Sequence, residues 1–133
     1  MAELCRKSPL KIAIDEELNT QADTKKMAAL LDAIRPAYII LKPGILGGIG
    51  KCREWIAQAE KRNIGYWVTS SLETNIALNV IAQWTFTLNS PLPQGLSTGG
   101  LYENKIASPL FLRGEYLYFD PDRPWDLHLF HPA

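Results

Sequence analysis

Three short apolar, largely β-branched runs punctuate the first seventy residues, and each ends in polar or charged side chains. They are Ile12-Ala13-Ile14 before Asp15, Tyr38-Ile39-Ile40-Leu41 before Lys42, and Ile64-Gly65-Tyr66-Trp67-Val68 before Thr69-Ser70-Ser71. Continuous runs of this length suit strands of a parallel sheet covered on both faces. The segments between them carry a helical pattern instead. Met27, Leu30, Leu31 and Ile34 fall on one helix face, and Cys52, Trp55, Ile56 and Ala59 repeat the spacing. Arg35-Pro36 stops the first helix, because proline drives its predecessor out of the helical region. Pro43-Gly44 turns the chain and Gly47-Gly48 leads into the second helix. Lys61-Arg62-Asn63 closes that helix, with positive charge at the negative end of its dipole. A third helix is predicted with Ala77, Val80, Ile81 and Trp84 on one face.

Asp15, Lys42 and Ser70 thus recur at intervals of about 27 residues, the length of a βα unit. Parallel strands are predicted near residues 11–15, 38–42 and 65–69. Right-handed crossovers put the three strand ends on one edge of the sheet. A fourth strand end is expected around Gln94-Gly95-Leu96, after which the pattern breaks. Ser108–Leu112 and Glu115–Phe119, joined by Arg113-Gly114, form a predicted hairpin with glycine in the turn. Tyr116, Tyr118 and Phe119 alternate as in a strand and are expected to pack on a neighbouring domain, and the tail from Asp120 to Trp125 reads as extended and irregular.

At 133 residues the chain is long enough to bury a real core as one domain. Its 14 basic and 14 acidic residues balance, so no net field recruits nucleic acid or an anionic membrane. With no charged-then-apolar leader and no run approaching roughly 20 apolar residues, a cytoplasmic location is expected. Cys5 and Cys52 lack CxxC or histidine neighbours and are expected as buried, reduced thiols.

Chemistry is expected where the strands end. A charge at the carboxyl end of a parallel strand points into the mouth where α/β folds and barrels place their sites. Taken singly, a loop-capping aspartate and a lysine reaching solvent are the favoured readings. Taken together, Asp15 and Lys42 make a candidate metal ligand and acid/base group. Gly44, Gly47, Gly48 and Gly50 open a helix, but without a dinucleotide or P-loop pattern they read as a tight βα turn. His128 and His131 have no acidic or cysteine partner at ligand spacing, and Ser70-Ser71 lacks a nucleophile-elbow context.

At Ile12-Ala-Ile-Asp15-Glu16, Leu41-Lys42-Pro43 with Gly47-Gly48, and Thr69-Ser70-Ser71-Leu72-Glu73-Thr74, the chain resembles the enolase superfamily. The resemblance covers about residues 1–119 and is to the carboxyl-terminal half of that family's catalytic barrel. Lysine followed directly by proline is most similar to its o-succinylbenzoate synthase branch. Gly95-Leu96-Ser97 departs from the Gly-Leu-Asp common among relatives.

The resemblance implies an α/β fold, with residues 1–107 as βα units five to eight of a (β/α) barrel and residues 108–133 as a hairpin and tail. It implies a magnesium-dependent dehydratase of menaquinone biosynthesis that makes 2-succinylbenzoate from 2-succinyl-6-hydroxy-2,4-cyclohexadiene-1-carboxylate. Asp15 matches one of three carboxylates that hold Mg2+, and Lys42 matches a lysine that stabilises the anionic intermediate. Glu16 is placed to orient Lys42, with a solvated carboxylate the alternative. Ser70, Ser71 and the backbone near Gly95 match positions that bind the succinyl side chain. The family's base, a second-strand lysine, and two of its carboxylates match nothing here.

The chain therefore reads as part of something larger, expected to be inactive alone. Its partners are the carboxylate substrate and the missing amino-terminal part of the barrel. Leu10, Ile12, Ile14, Ile40 and Val68 are expected on a bare surface that drives homo-oligomerisation. A racemase, epimerase or cycloisomerase of the same superfamily is the alternative activity, and a non-catalytic half-barrel assembly module is the alternative class.

Overall fold

The apolar runs pair as a parallel ladder in the computed structural model, which describes residues 1–19, 23–96 and 106–128. The chain divides into two units, Met1–Thr69 with Ser90–Gly95 and Ser70–Asn89 with Leu96–Ala133. The first unit runs α1 (Ala2–Lys7), β1 (Ala13–Ile14), a 3-10 turn (Glu16–Leu18), α2 (Thr24–Ile34), β2 (Tyr38–Leu41), α3 (Pro43–Leu46), α4 (Gly48–Glu60) and β3 (Gly65–Val68). Its strands lie in the order β1-β2-β3, with Ile14 level with Ile39 and Leu41 level with Val68.

Side chains alternate across a strand, so this register sorts the sheet into two faces. Ile14, Ile39, Leu41 and Val68 share one face and are buried. Ala13, Tyr38, Ile40 and Trp67 share the other and are half-buried. The expected bare surface is corrected accordingly. Ile14 and Val68 are 1% and 0% exposed, Leu10 is exposed, and Ile12 and Ile40 are half-buried. Gly65 permits the second face to close, because a Cβ there would lie 2.5 Å from the Tyr38 ring. That ring sits 5.6 Å, centroid to centroid, from Trp67.

The helices of this unit start and stop for local reasons. Asp23 caps α2 by accepting the Lys25 N–H at 2.8 Å. At the other end Arg35 adopts a left-handed φ of 52°, and its N–H closes on the Leu31 carbonyl. Met27, Leu31 and Ile34 of α2 are buried, with Leu30 at the margin. In α4 all four expected residues, Cys52, Trp55, Ile56 and Ala59, are buried. Each fully buried side chain of this size contributes about 1.5–3 kcal/mol. A bidentate ion pair joins α2 to the turn after α4, Arg62 donating to both Asp32 oxygens at 2.8 and 2.9 Å. It holds the Asp32 carboxyl below its ordinary value. Where a plain turn was expected at Pro43-Gly44, the chain makes the short helix α3, with proline at its first position.

In the second unit α5 spans Asn75–Thr87, and Thr74 caps it by accepting the Ala77 N–H. Its buried residues are Leu78, Ile81, Trp84 and Thr85, whereas Val80 is 54% exposed. The expected face is thus rotated, away from Val80 and the narrow polar stripe that Asn79 and Gln83 mark beside it. β4 (Leu110–Arg113) and β5 (Tyr116–Phe119) form the predicted antiparallel hairpin. Gly114 takes φ 63° in its two-residue loop, the left-handed position that favours glycine there. Phe111 stacks on Tyr118, and Arg123 lies 4.0 Å from the Phe111 ring centroid. Tyr116, Tyr118 and Phe119 are exposed within this chain.

Among the described residues no helix is long and apolar enough to cross a membrane. Both cysteines are free, but only Cys52 is fully buried and Cys5 is half-buried. Burial pushes the Cys52 thiol up to about 12.

Two outcomes follow from this packing. Trp55→Ala, at a site with no exposure, should cost about 3–5 kcal/mol in urea unfolding. Val80→Ala should stay within about 0.5 kcal/mol, and a comparable loss at Val80 would restore the face read from the sequence. Iodoacetamide at pH 8 should label Cys5 in the native chain and Cys52 only after unfolding, as counted by mass spectrometry. Native labelling of Cys52 at the rate of Cys5 would contradict the burial.

Candidate functional site

Asp15 and Lys42 each follow a strand directly, and the parallel ladder sets them on the same edge of the first unit. They continue the alternation of Ala13 and Ile40, so both extend the half-buried face. Lys42 Nζ lies 2.6 Å from Asp15 Oδ2 and 3.3 Å from Glu16 Oε1. The three side chains differ in exposure, at 18% for Lys42, 30% for Asp15 and 72% for Glu16.

The backbone on both sides is anchored locally. After Asp15 the chain enters the 3-10 turn, in which the Asp15 carbonyl accepts the Leu18 N–H at 3.1 Å. Leu18 is 1% exposed and ties this acidic loop to the core. The Asp15 N–H donates to Glu17 Oε2 at 3.3 Å. On the other strand the Lys42 carbonyl accepts N–H groups of Ile45 and Leu46 at 3.0 and 2.9 Å. Leu46 is buried, and Gly47 and Gly48 follow at φ 95° and 90°. Two consecutive positive φ angles call for glycine, so the Gly-Gly pair is what lets the chain turn from α3 into α4. The tight-turn reading holds for Gly47 and Gly48, whereas Gly44 lies within α3 and Gly50 within α4.

The electrostatic balance on Lys42 has a sign. The Asp15 hydrogen bond raises its pKa above the ordinary 10.5, burial opposes this, and Glu16 adds to the rise. The net direction is upward, so Lys42 is a firmly held cation and not a neutral amine. A partly buried, charge-assisted pair of this length is stronger than a surface ion pair.

Gly95 belongs to the same unit. Its N–H donates to the Val68 carbonyl at 2.8 Å, and its own carbonyl accepts from Thr69 Oγ1 at 2.6 Å. Thr69 and Gly95 form a parallel bridge, and a Cβ on residue 95 would come within 2.7 Å of Thr69 Oγ1. The expected fourth strand end is present as this single bridge. Gln94 Oε1 accepts the Val68 N–H at 2.8 Å, standing in for a strand carbonyl. Neither Thr69 nor Gln94 was singled out from the sequence, and only the approach of a strand at residue 95 hinted at them.

Ser70 and Ser71 lie in the second unit, both half-buried. The Ser71 hydroxyl and both carboxylate oxygens of Glu73 are buried without a hydrogen-bond partner among the described residues. The tail histidine His128 meets Asp126 through Nδ1, an acidic partner that ligand spacing did not reveal. His131 and Ser97 lie outside the described residues. A cavity of about 320 Å³ borders Leu31, Asp32, Arg35, Arg62 and Ile64, where β2 and β3 begin, on the opposite edge from Lys42.

Magnesium, the cofactor implied by the resemblance, requires several hard oxygen ligands in octahedral geometry. Among the described residues no group of three or more His, Cys, Asp or Glu side chains could hold a metal. Asp15, the matching carboxylate, is committed to Lys42. These residues do not fit a magnesium centre on their own.

The chain is similar to proteins of known sequence and structure. The chain is 51% identical over 117 residues to the o-succinylbenzoate synthase of Desulfotalea psychrophila, covering 88% of this chain and 32% of that protein. It is 27% identical over 109 residues to the o-succinylbenzoate synthase of Yersinia pseudotuberculosis serotype O:3, covering 80% of this chain and 32% of that protein. The crystal structure of MenC from Desulfotalea psychrophila LSv54 superposes with a TM-score of 0.84 at 51% identity, over 87% of this chain and 32% of that one. A muconate cycloisomerase variant, F329I, superposes with a TM-score of 0.72 at 20% identity, over 96% of this chain and 34% of that one, which shows the fold alone. No protein-family model matches the chain. The chain thus spans about a third of the length of the relatives it matches.

The Lys42 pair yields a pH-dependent outcome. A raised folded-state pKa contributes stability that is whole below the unfolded value of 10.5 and is lost as pH rises through the folded one. The Lys42 Cε resonance should therefore titrate above the ordinary 10.5, and Asp15→Asn should move its midpoint down. A midpoint at or below the ordinary value would contradict the pairing.

Proposed function

We propose, from the chain's similarity to the o-succinylbenzoate synthases of the enolase superfamily, that it supplies the Lys42 edge of a dehydratase barrel. The observation that carries this reading is the charged pair at the carboxyl ends of adjacent parallel strands, with Lys42 Nζ 2.6 Å from Asp15. The substrate proposed for the complete protein is 2-succinyl-6-hydroxy-2,4-cyclohexadiene-1-carboxylate. Removing its proton α to the carboxylate builds negative charge on that carboxylate. Expelling the neighbouring hydroxyl as water then gives aromatic 2-succinylbenzoate.

Lys42 is proposed to face the developing anion. A fixed ammonium needs no reorganisation as the charge forms, and partial burial strengthens its field. Asp15 and Glu16 position Lys42 and keep it protonated. Ser70, Ser71 and the Gly95 backbone are proposed to bind the succinyl arm. The base and the remaining carboxylates match nothing among the described residues, so the isolated chain is proposed to lack turnover and to bind magnesium weakly.

A hybrid tests this reading. This chain's residues replace the matching segment of the Desulfotalea enzyme, and the hybrid is assayed on the cyclohexadiene substrate, N-acyl amino acids and dipeptides. Dehydration is the expected activity, and Lys42→Ala should lower kcat by about 10²–10³. Racemisation or epimerisation without dehydration would move the chain to another branch of the superfamily. Turnover by the isolated chain would show a site complete without the rest of the barrel.

A further inference from the structure

At the carboxyl edge of β3 the chain holds residue 95 with side chains where a ladder would use backbone alone. Among the described residues β3 meets it through a single parallel bridge, Thr69 to Gly95. On one side of that bridge the Gly95 N–H donates to the Val68 carbonyl, and Gln94 Oε1 accepts the Val68 N–H, both at 2.8 Å. On the other side the Thr69 hydroxyl donates to the Gly95 carbonyl at 2.6 Å. Thr69 is itself fixed, because its N–H donates at 2.9 Å to the carbonyl of Leu41, the residue before Lys42. One residue thus grips β2 with its backbone and Gly95 with its side chain. Glycine is what lets the two meet, since a Cβ on residue 95 would lie 2.7 Å from Thr69 Oγ1 and 2.9 Å from Thr69 Cβ. Gly95 is exposed, so a ligand at this edge can reach its backbone.

We infer that Thr69 is a positioning residue for the succinyl arm, its hydroxyl fixing the Gly95 backbone in a set place relative to the Lys42 edge. The inference rests on the proposed reading of the Gly95 backbone as part of the arm-binding edge. Thr69 acts through Gly95 and not on the reacting atoms. A hydroxyl donated to a carbonyl at this length holds the planar peptide in one orientation. Without it the carbonyl loses that partner, and the exposed chain at residue 95 samples more conformations. Part of the binding free energy of the arm then goes into ordering that backbone. The loss falls on affinity for the arm and not on the chemistry at Lys42.

The test uses the Desulfotalea hybrid, with 2-succinylbenzoate as the probe that carries the arm and benzoate as the one that lacks it. Thr69→Val keeps the shape of the side chain and removes its hydroxyl. It should weaken 2-succinylbenzoate about tenfold, the size of one lost hydrogen bond, and benzoate by less than about twofold. The KM for the cyclohexadiene substrate should rise by a similar factor, with the smaller change in kcat. Thr69→Ser, which restores the hydroxyl, should recover most of the affinity. Equal weakening of both probes, or a fall in kcat as large as the rise in KM, would make Thr69 a structural residue only and overturn the inference. So would affinity unaltered in Thr69→Val, or no recovery in Thr69→Ser.

A second measurement reads the backbone directly, in the 133-residue chain without ligand. Amide exchange at Gly95, followed by NMR, should be about tenfold faster in Thr69→Val and near the unaltered rate in Thr69→Ser. The amide of Trp55, in the core of α4, should keep its rate. Exchange at Gly95 that ignores Thr69→Val, or equal acceleration at Trp55, would overturn the positioning role. Gly95→Ala separates the inference from the reading beneath it. Its Cβ presses on Thr69, so it should weaken 2-succinylbenzoate and spare benzoate. That result with no effect of Thr69→Val removes Thr69 and leaves the arm-binding edge standing. Unaltered 2-succinylbenzoate affinity in Gly95→Ala and Ser71→Ala alike removes the arm-binding edge itself, and the inference with it.

Discussion

Everything at the candidate site depends on the parallel register of β1, β2 and β3. Asp15 and Lys42 are 27 positions apart and meet because their strands run the same way and end at the same edge. The ladder also continues past the named strands. Thr69 donates its N–H to the Leu41 carbonyl at 2.9 Å, and Gly95 extends the hydrogen bonding beyond β3. Antiparallel pairing would have sent alternate strand ends to opposite edges and separated the two charges. The βα period is therefore a functional constraint as much as an architectural one.

The parts of this arrangement legible in the sequence are those with one unambiguous period. The apolar stripe of α4 is a single face, and all four of its expected residues are buried. The runs ending at Asp15 and Lys42 could be placed because a continuous apolar run followed by a charge has few other homes. In α5, by contrast, apolar residues flank a narrow polar stripe of Asn75, Asn79 and Gln83, and Val80, beside that stripe, was assigned inward when it points to solvent. Ile14 and Val68 were placed on a bare surface because pattern alone cannot say which face of a strand its helices cover. The register decides that, and register is a property of pairs of strands.

Other contacts left no pattern to read. Gln94 replaces a strand carbonyl with a side-chain oxygen, a role that any loop glutamine might be cast in and that spacing does not mark. Gly65, read from the sequence only as part of a strand run, is the gap into which the Tyr38 ring settles, one strand away. Gln94 closes the outer side of β3 near the edge that carries Lys42, whereas Gly65 lets the half-buried face pack where β2 and β3 begin. Neither carries a charge or a nucleophile, so motif reading passes over them.

The pair itself answers two demands at once. Asp15 keeps Lys42 charged, since a carboxylate at 2.6 Å outweighs the desolvation that would otherwise favour the neutral amine. The same geometry shares the ammonium between Asp15 and Glu16. An ammonium has three N–H donors, so holding these two carboxylates does not exhaust it. The carboxylates fix where the charge sits, and the partial exposure of Lys42 leaves it a side open to an anionic ligand. Holding the lysine charged and presenting that charge are therefore compatible demands on one side chain.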